Sequence, residues 1–152
     1  MKVAVGADHA GYRMKDELAV CLKGLGHEIV DFGTHSDAAV DYPDIALSVA
    51  RAVASGAAHR GLLVCGTGIG TCIVANKVKG VRAALCHDTF SARATRQHND
   101  SNVLCLGARV IGPSLAEEIV RTWFGAGFDR GERHERRVRR ISEIEDDFGK
   151  NC

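Results

Sequence analysis

The chain has 152 residues, of which 20 are Lys or Arg and 19 are Asp or Glu, so its formal net charge at pH 7 is +1. This length suits a single domain over residues 1–152 that buries roughly 70% of the surface of its unfolded chain. The balanced charge offers no general basic field for nucleic acid or for an anionic membrane, so we expect small-molecule partners.

Short apolar runs alternate with segments in which apolar residues recur every three or four positions, the pattern of strands separated by helices. Gly26 and Gly56 are placed to end two helices, and Pro43 and Pro113 to open two others. In chain order the sequence predicts a strand at 2–7, a helix at 14–25, a strand at 27–32, a helix at 43–56, a strand at 60–65, a helix at 70–78, a strand at 81–86, a helix at 88–98, a strand at 102–107 and a helix that begins at Pro113.

Near-continuous apolar strands joined by helices predict a parallel sheet that is covered on both faces. Right-handed crossovers then give an α/β fold, a three-layer α/β/α sandwich with five strands. In such folds ligands bind beyond the carboxyl ends of the strands. The charged tail from Arg130 keeps Val138, Ile141, Ile144 and Phe148 at near-helical spacing, which predicts a final amphipathic helix. Its arginines are typical of a solvated face, although its apolar stripe would suit contact with a second subunit.

The N-terminal segment and the cysteines favour a soluble, cytoplasmic protein. The first apolar run is interrupted at Asp8 and His9, too early for a secretory signal. No apolar run approaches the ~20 residues that a membrane-spanning helix needs. The six cysteines lack disulfide-scaffold and C-x-x-C spacing, so we expect reduced thiols and no zinc site.

The segment LLVCGTGIGT, residues 62–71, places Cys65 where the third strand meets a glycine-rich turn. Its glycines do not follow the G-x-G-x-x-G dinucleotide pattern, and there is no P-loop. A cysteine phosphatase would need an arginine where Thr71 stands. What remains is a turn whose main-chain N–H groups point inward just before a helix. We expect this turn to stabilise anions and to increase the thiolate fraction of Cys65, which would make the sulfur a base.

Asp8 and His9 follow the first strand, so they should lie at the same edge of the sheet as Cys65. His98 precedes the fifth strand and reaches that edge only if its loop folds back. Structural alternatives stay open for each residue. Cys65 could be a small buried apolar side chain, the histidines could be hydrogen-bonded structural groups, and Tyr42 could merely cover the start of its helix.

Seven segments together resemble one family, in order and at its spacing from about residue 2 to 145. They are GADHAG (6–11), DYP (41–43), CGTGIG (65–70), ANK (75–77), RQHND (96–100), GARVIG (107–112) and RHERRV (133–138). The family is that of ribose-5-phosphate isomerase B and the galactose-6-phosphate isomerase subunits. The resemblance implies a Rossmann-like sandwich, and a homodimer, or a dimer of dimers, with active sites at the subunit interface that the C-terminal helix reaches. It also implies aldose–ketose isomerisation, typically of ribose 5-phosphate and ribulose 5-phosphate, without metal or organic cofactor.

The resemblance also implies a role for each matching residue. Cys65 would carry a proton between C1 and C2 through an enediolate, His98 would help to open the sugar ring, and Thr67 would assist. Main-chain N–H groups of residues 66 to 70, which are Gly66, Thr67, Gly68, Ile69 and Gly70, would hold the developing oxyanion. Asp8 and Asn99 would bind the sugar oxygens, and Tyr42 is expected to line the crevice around the substrate. The phosphate would be bound by His9 and Arg109, together with Arg133 and Arg137 of the partner subunit.

Two features of the sequence bear on these roles, and the second departs from the family pattern. Some relatives lack the cysteine and carry a carboxylate at the position of Thr71, so this chain resembles the branch with a thiol base. The approach to Arg133 in RGERHERRV (130–138) is longer and more charged than usual. Three alternatives remain open: an isomerase of allose 6-phosphate or galactose 6-phosphate, a phosphosugar-binding module without catalysis, and a thiol redox protein.

Overall fold

The computed structural model describes residues 1–150, with side chains described for residues 1–147. Strands and helices alternate as the sequence predicts, and a sixth helix follows. In chain order the elements are β1 (Lys2–Ala7), α1 (Tyr12–Gly24), β2 (Glu28–Asp31), α2 (Tyr42–Ala54), β3 (Arg60–Cys65), α3 (Ile69–Ala75), β4 (Ala83–Leu85), α4 (Thr89–Asn99), β5 (Val103–Gly107), α5 (Pro113–Gly125) and α6 (Glu132–Lys150).

The strands form one parallel sheet in the order β2-β1-β3-β5-β4. From β1 the chain continues to β2 on one side, and from β3 it continues to the other side, where β4 is the edge strand and β5 lies between β3 and β4. The winding direction therefore reverses between β1 and β3. Ala7 pairs with Val64, and Cys65 pairs with Gly107. The carboxyl ends of β1, β3 and β5 therefore lie side by side along one edge of the sheet, the edge formed by the strand ends, which we call its carboxyl edge. They lie at the switch point where parallel sheets form a ligand crevice.

Both faces of the sheet are buried, which confirms the three-layer prediction. Leu62 and Val64 of β3 point into a core with α1, α4 and α5, where Trp123 is fully buried. Leu63, between them, points into a second core with α2 and α3 that includes Val49. Because successive strand residues face opposite sides, a strand between two helical layers must be apolar at every position.

Two predicted elements are shorter in the structure, a strand and a helix, and in the strand asparagine side chains take over main-chain hydrogen bonds. The predicted strand at 81–86 is reduced to β4, since the N–H groups of Arg82 and Ala83 donate to the side-chain oxygens of Asn102 and Asn76 at 2.7 and 2.8 Å. The helix predicted at 70–78 ends at Ala75. After it the chain continues in i→i−3 turns up to Gly80. The strands predicted at 27–32 and 102–107 lose one or two end residues.

The charged tail forms α6, as its apolar spacing predicts. The helix contacts the rest of the chain through α4 and through an ion pair between Lys79 and Asp146, whose atoms are 2.6 Å apart. Val138 is half-buried, whereas Ile141 and Ile144 are exposed. The side chain of Phe148, the fourth predicted member of the stripe, lies outside the described residues. No helix within residues 1–150 combines the length and apolar character needed to cross a membrane.

Replacing Gly11 by alanine is expected to destabilise the fold by about 2–3 kcal/mol, because a new side chain would overpack a buried contact. A Cβ at this position would lie 2.5 Å from the carbonyl oxygen of Val64, and neither main-chain segment can move freely. Gly11 precedes α1, and the matched control is Gly24→Ala at the other end of that helix, where a Cβ meets nothing within 4 Å. Urea unfolding at one protein concentration measures both variants, and equal midpoints would contradict this account of the α1–β3 contact.

Candidate active site

Cys65 ends β3 at the carboxyl edge of the sheet, and only 4% of its surface is exposed. Gly68 has a φ of 76°, in the left-handed region, and this conformation turns its N–H back toward the sulfur. The distance from the Gly68 nitrogen to Sγ is 3.0 Å, and the Thr71 hydroxyl oxygen lies 3.6 Å from the same Sγ. Two donors therefore face the sulfur. Hydrogen bonds of this kind are stronger to an anion than to a neutral group.

Some main-chain N–H groups of the glycine-rich turn donate hydrogen bonds within the turn itself. The N–H of Gly68 is directed at the Cys65 sulfur, and the N–H of Ile69 donates to the hydroxyl oxygen of Thr67 at 3.3 Å. An oxyanion bound in this turn would therefore depend on the remaining N–H groups, those of Gly66, Thr67 and Gly70. The sequence analysis expected all five main-chain N–H groups to hold the oxyanion. In the structure two of them have acceptors within the turn, so the other three are the candidates for binding an oxyanion.

Asp8 and His9 lie at the same edge, directly after β1. One carboxylate oxygen of Asp8 accepts the N–H groups of Ala10 and Gly11 at 2.9 and 3.0 Å, so this buried side chain is held in one orientation. The Nδ1 atom of His9 accepts the N–H of Val40 at 3.4 Å. When Nδ1 is the acceptor, the proton of a neutral imidazole is on Nε2, which makes that nitrogen a donor.

Arg109 and Tyr42 flank the glycine-rich turn. The N–H of Arg109 donates to the carbonyl oxygen of Gly66 at 2.9 Å. A Cβ placed on Gly66 would lie 3.5 Å from Cδ of Arg109, so the arginine side chain extends over the turn. A Cβ placed on Gly70 would lie 2.6 Å from Cζ of Tyr42, so the tyrosine ring packs against the glycine. Both side chains are exposed and available to a ligand.

His98 and Asn99 lie at the opposite edge of the sheet. They end α4, and the following loop enters β5, whose first residue pairs with Gly61 near the start of β3. The four residue steps from Gly61 to Cys65 span about 13 Å of extended strand. The sequence analysis made the contribution of His98 conditional on its loop folding back toward Cys65. The loop does not fold back, so one chain does not bring His98 to the thiol.

The arginines of the tail lie at this second edge as well. The ring of His98 stacks on that of His134, near the start of α6, with centroids 4.5 Å apart and planes at 6°. Arg133 precedes His134 and contacts its ring nitrogen at 3.5 Å. Arg133 and Arg137 are both exposed and stand one helical turn apart, so they share a face of α6. A single chain thus carries the predicted site residues in two separate groups (half-sites), one at each end of its strands.

The family model described as Ribose/Galactose Isomerase matches residues 3–141 of the chain. The chain belongs to this family. Among proteins with assigned activities, ribose-5-phosphate isomerase B of Escherichia coli is 48% identical over 95% of this chain and 96% of its own. The D-erythrulose-4-phosphate isomerase of Pectobacterium atrosepticum is 46% identical over 86% of this chain and 87% of its own. The solved structure of Clostridium thermocellum ribose-5-phosphate isomerase B covers 97% of this chain and 99% of its own, with 53% identity and a TM-score of 0.95.

As a member of the Ribose/Galactose Isomerase family, the chain is a sugar-phosphate isomerase with a Rossmann-like fold. Both conclusions confirm what the seven sequence segments predict. The individual roles expected for the site residues stay predictions, as do the dimer and the cytoplasmic location.

His134 is a neighbour of the predicted site residue His98 that the sequence analysis did not single out. It is buried, and burial lowers its pKa, with the charges of His98, Arg133 and Arg137 acting in the same direction against Asp129. A neutral His134 ring can therefore support the ring of His98 at neutral pH. The only sequence signal for this role was its place beside Arg133 in the segment RHERRV, because stacking between two helices leaves no local pattern.

Within the described side chains of this isomerase, one group of three possible metal ligands lies close together, at the end of β2. Ligand atoms of Asp16, Asp31 and His35 all lie within 4.8 Å of one another. However, Asp31 Oδ2 is 2.7 Å from Nζ of Lys15, a side chain with no exposed surface, and Asp16 also pairs with this ammonium. A buried ammonium repels a metal cation and already neutralises the carboxylates, so the group is a structural ion-pair network.

Proposed function

We propose that the chain interconverts D-ribose 5-phosphate and D-ribulose 5-phosphate, and that the thiolate of Cys65 transfers the proton between C1 and C2. The observation that carries this proposal is the sulfur at the switch point of the sheet, with the Gly68 nitrogen 3.0 Å from Sγ. Arg109 extends over the same turn and supplies a guanidinium for the phosphate. The arrangement combines a base, main-chain donors and a cation, the three parts that such a reaction needs.

The reaction can be written with these groups alone. The thiolate removes the proton from C2 of the open-chain aldose, and negative charge develops on the carbonyl oxygen at C1. The N–H groups of Gly66, Thr67 and Gly70 would stabilise this enediolate, a contribution typically of ~3–4 kcal/mol for each donor. The thiol then returns the proton to C1, while O2 loses its proton and O1 gains one. C1 is reduced as C2 is oxidised, so the reaction needs no external redox cofactor.

We infer further that the active unit is a homodimer, in which the half-site around Cys65 of one chain meets the half-site around His98 of the other. His98 and Asn99 lie about the length of β3 away from Cys65 in one chain, and the cationic face of α6 lies with them. Arg133 and Arg137 of the partner subunit would join Arg109 around the phosphate, and His98 of the partner subunit would open the ring. Exposed isoleucines on α3 and α6, including Ile73 and Ile144, provide apolar surface for such contact.

The identity of the sugar is the finer part of the proposal, because relatives of similar identity act on different phosphates. The E. coli relative carries the name of a ribose-5-phosphate isomerase, and the P. atrosepticum relative that of a D-erythrulose-4-phosphate isomerase. Allose 6-phosphate and galactose 6-phosphate are the six-carbon alternatives. Each of these sugars has one carbon more or one carbon fewer than ribose 5-phosphate, and a pocket distinguishes a difference of one methylene group by about 10-fold to 200-fold.

A turnover panel tests this choice. We expect kcat/KM for ribose 5-phosphate to exceed that for the erythrose, allose and galactose phosphates by about tenfold or more. Ribose without phosphate should be poorer by about a hundredfold or more, because each charge-assisted bond to the phosphate is lost. A higher kcat/KM for a four-carbon or six-carbon phosphate would replace ribose 5-phosphate as the substrate, and equal turnover of free ribose would contradict the proposed phosphate site.

A further inference from the structure

Thr71 has no assigned part in the chemistry, yet its hydroxyl is buried against the reacting sulfur. It lies in the first turn of α3, with 1% of its surface exposed. Its Oγ1 atom is 3.6 Å from Sγ of Cys65 and 3.1 Å from the carbonyl oxygen of Gly68. A contact of 3.6 Å is normal for a hydroxyl and a sulfur, since sulfur is larger than oxygen. The hydroxyl proton therefore has two possible acceptors.

The carbonyl of Gly68 does not depend on this hydroxyl. It already accepts the N–H of Cys72 at 3.1 Å, the first hydrogen bond of α3. The Thr71 hydroxyl is thus free to donate to either acceptor, and its oxygen can accept at the same time. When Cys65 is a thiol, Thr71 can donate to Gly68 and accept from the S–H. When Cys65 is a thiolate, rotation about one bond turns the hydroxyl proton to the sulfur. Both protonation states are satisfied without movement of heavy atoms.

We propose that Thr71 is a positioning residue for the isomerisation, whose hydroxyl orients the sulfur of Cys65 and donates a hydrogen bond to its thiolate form. This inference rests on the proposed function, because it assigns a supporting group to the base named there. It goes beyond that function by adding a second, side-chain donor to the main-chain donor of Gly68. The Thr71 hydroxyl acts only through the sulfur and does not itself touch the substrate.

Other titratable groups surround the turn and remain in place when Thr71 is changed. Behind Thr71, burial raises the pKa of the Cys105 thiol well above its usual range, against the smaller lowering effect of its hydrogen bond with Thr71, so this thiol stays protonated. The hydrogen bond with Cys105 lowers the pKa of Cys72, against the effect of burial. The other titratable or charged groups, from the segments that pack around the turn, are Asp8, His9, Tyr42, His87 and Arg109. A matched pair of variants is therefore needed to distinguish the effect of the Thr71 hydroxyl on the pH profile from the effects of these other groups.

The pair is Thr71→Val, which keeps the shape and removes the hydroxyl, and Thr71→Ser, which keeps the hydroxyl and removes the methyl group. For Thr71→Val we expect the acid limb of the kcat/KM profile to move up by about one pH unit, corresponding to about 1.4 kcal/mol. Turnover at pH 7 should fall about tenfold with little change in KM, because the sulfur is less often ionised but the sugar and phosphate contacts remain. Thr71→Ser should restore the wild-type acid limb.

A second measurement reports on the sulfur without turnover. The ultraviolet absorbance of the Cys65 thiolate is obtained by subtracting the pH titration of the same protein carrying Cys65→Ser. Its midpoint should move up with Thr71→Val and return with Thr71→Ser. Unchanged midpoints in both measurements would overturn the inference, as would a folded Thr71→Ser variant that behaves like Thr71→Val. If Cys65→Ala kept full activity, the proposed function would fail instead, and the absorbance titration would still decide whether Thr71 binds the thiolate.

Discussion

Replacing Cys65 by alanine is expected to lower kcat for the sugar phosphate by about 10²–10⁴-fold, the usual contribution of a positioned acid–base group. The change removes the sulfur that carries the proton and leaves the other groups of the site in place. The phosphate contacts should survive, so binding measured by calorimetry should stay close to that of the wild type. Steady-state kinetics with ribose 5-phosphate and a binding titration together provide the test.

Cys86→Ala is the matched control for this experiment. Cys86 is also buried, in the core that contains α1 and α5, and burial raises its pKa to about 12, so it stays a neutral thiol at working pH. We expect its loss to leave kcat within about twofold, with any effect confined to stability, as for other core truncations. Wild-type turnover in Cys65→Ala, or an equal loss in both variants, would remove Cys65 from its proposed role.

Mixing two inactive variants is expected to restore about a quarter of the wild-type activity, if the closed dimer has two shared sites. Cys65→Ala destroys one half-site and His98→Ala the other. In a dimer that contains one copy of each variant, the intact Cys65 meets the intact His98 at one of its two sites, and such dimers make up half of a random mixture. The variants are unfolded and refolded together, and turnover is measured below KM.

The control pair is Cys65→Ala with Arg109→Ala. Both residues belong to the half-site at the carboxyl edge of the sheet, so no combination of these two chains has an intact site. Mixing them should therefore restore nothing. Recovery in this pair, or its absence in the first pair, would show that the site is not divided between the chains as proposed.

The layered fold could be predicted from sequence because it depends on local patterns. The run Leu62, Leu63, Val64 is apolar at every position, and only a strand buried on both faces tolerates this. The turn after Cys65 was also predictable, because the left-handed conformation at Gly68 requires glycine. A backbone shape that only one residue type adopts readily is visible in the sequence itself.

The features that sequence did not predict depend on contacts between distant segments. The side chains of Asn76 and Asn102 shorten β4 by binding its N–H groups, and no periodicity reveals such pairing. The stack of His98 on His134 likewise joins two helices far apart in the chain. The distance of His98 from Cys65 follows from the sheet register, which pattern alone does not define. The resemblance to a family implied the shared dimer site, and the separation of the half-sites supports it.

The most direct test of the account is a crystal structure of the wild-type protein with an unreactive, open-chain acid analogue of the enediolate. The account predicts that Sγ of Cys65 lies within about 3.5 Å of the atoms that replace C1 and C2, the distance of a reactive contact. It also predicts that the phosphate touches Arg109 of one chain and Arg133 of the partner subunit. An analogue whose reactive end lies away from the sulfur, or whose phosphate is held within a single chain, would contradict it.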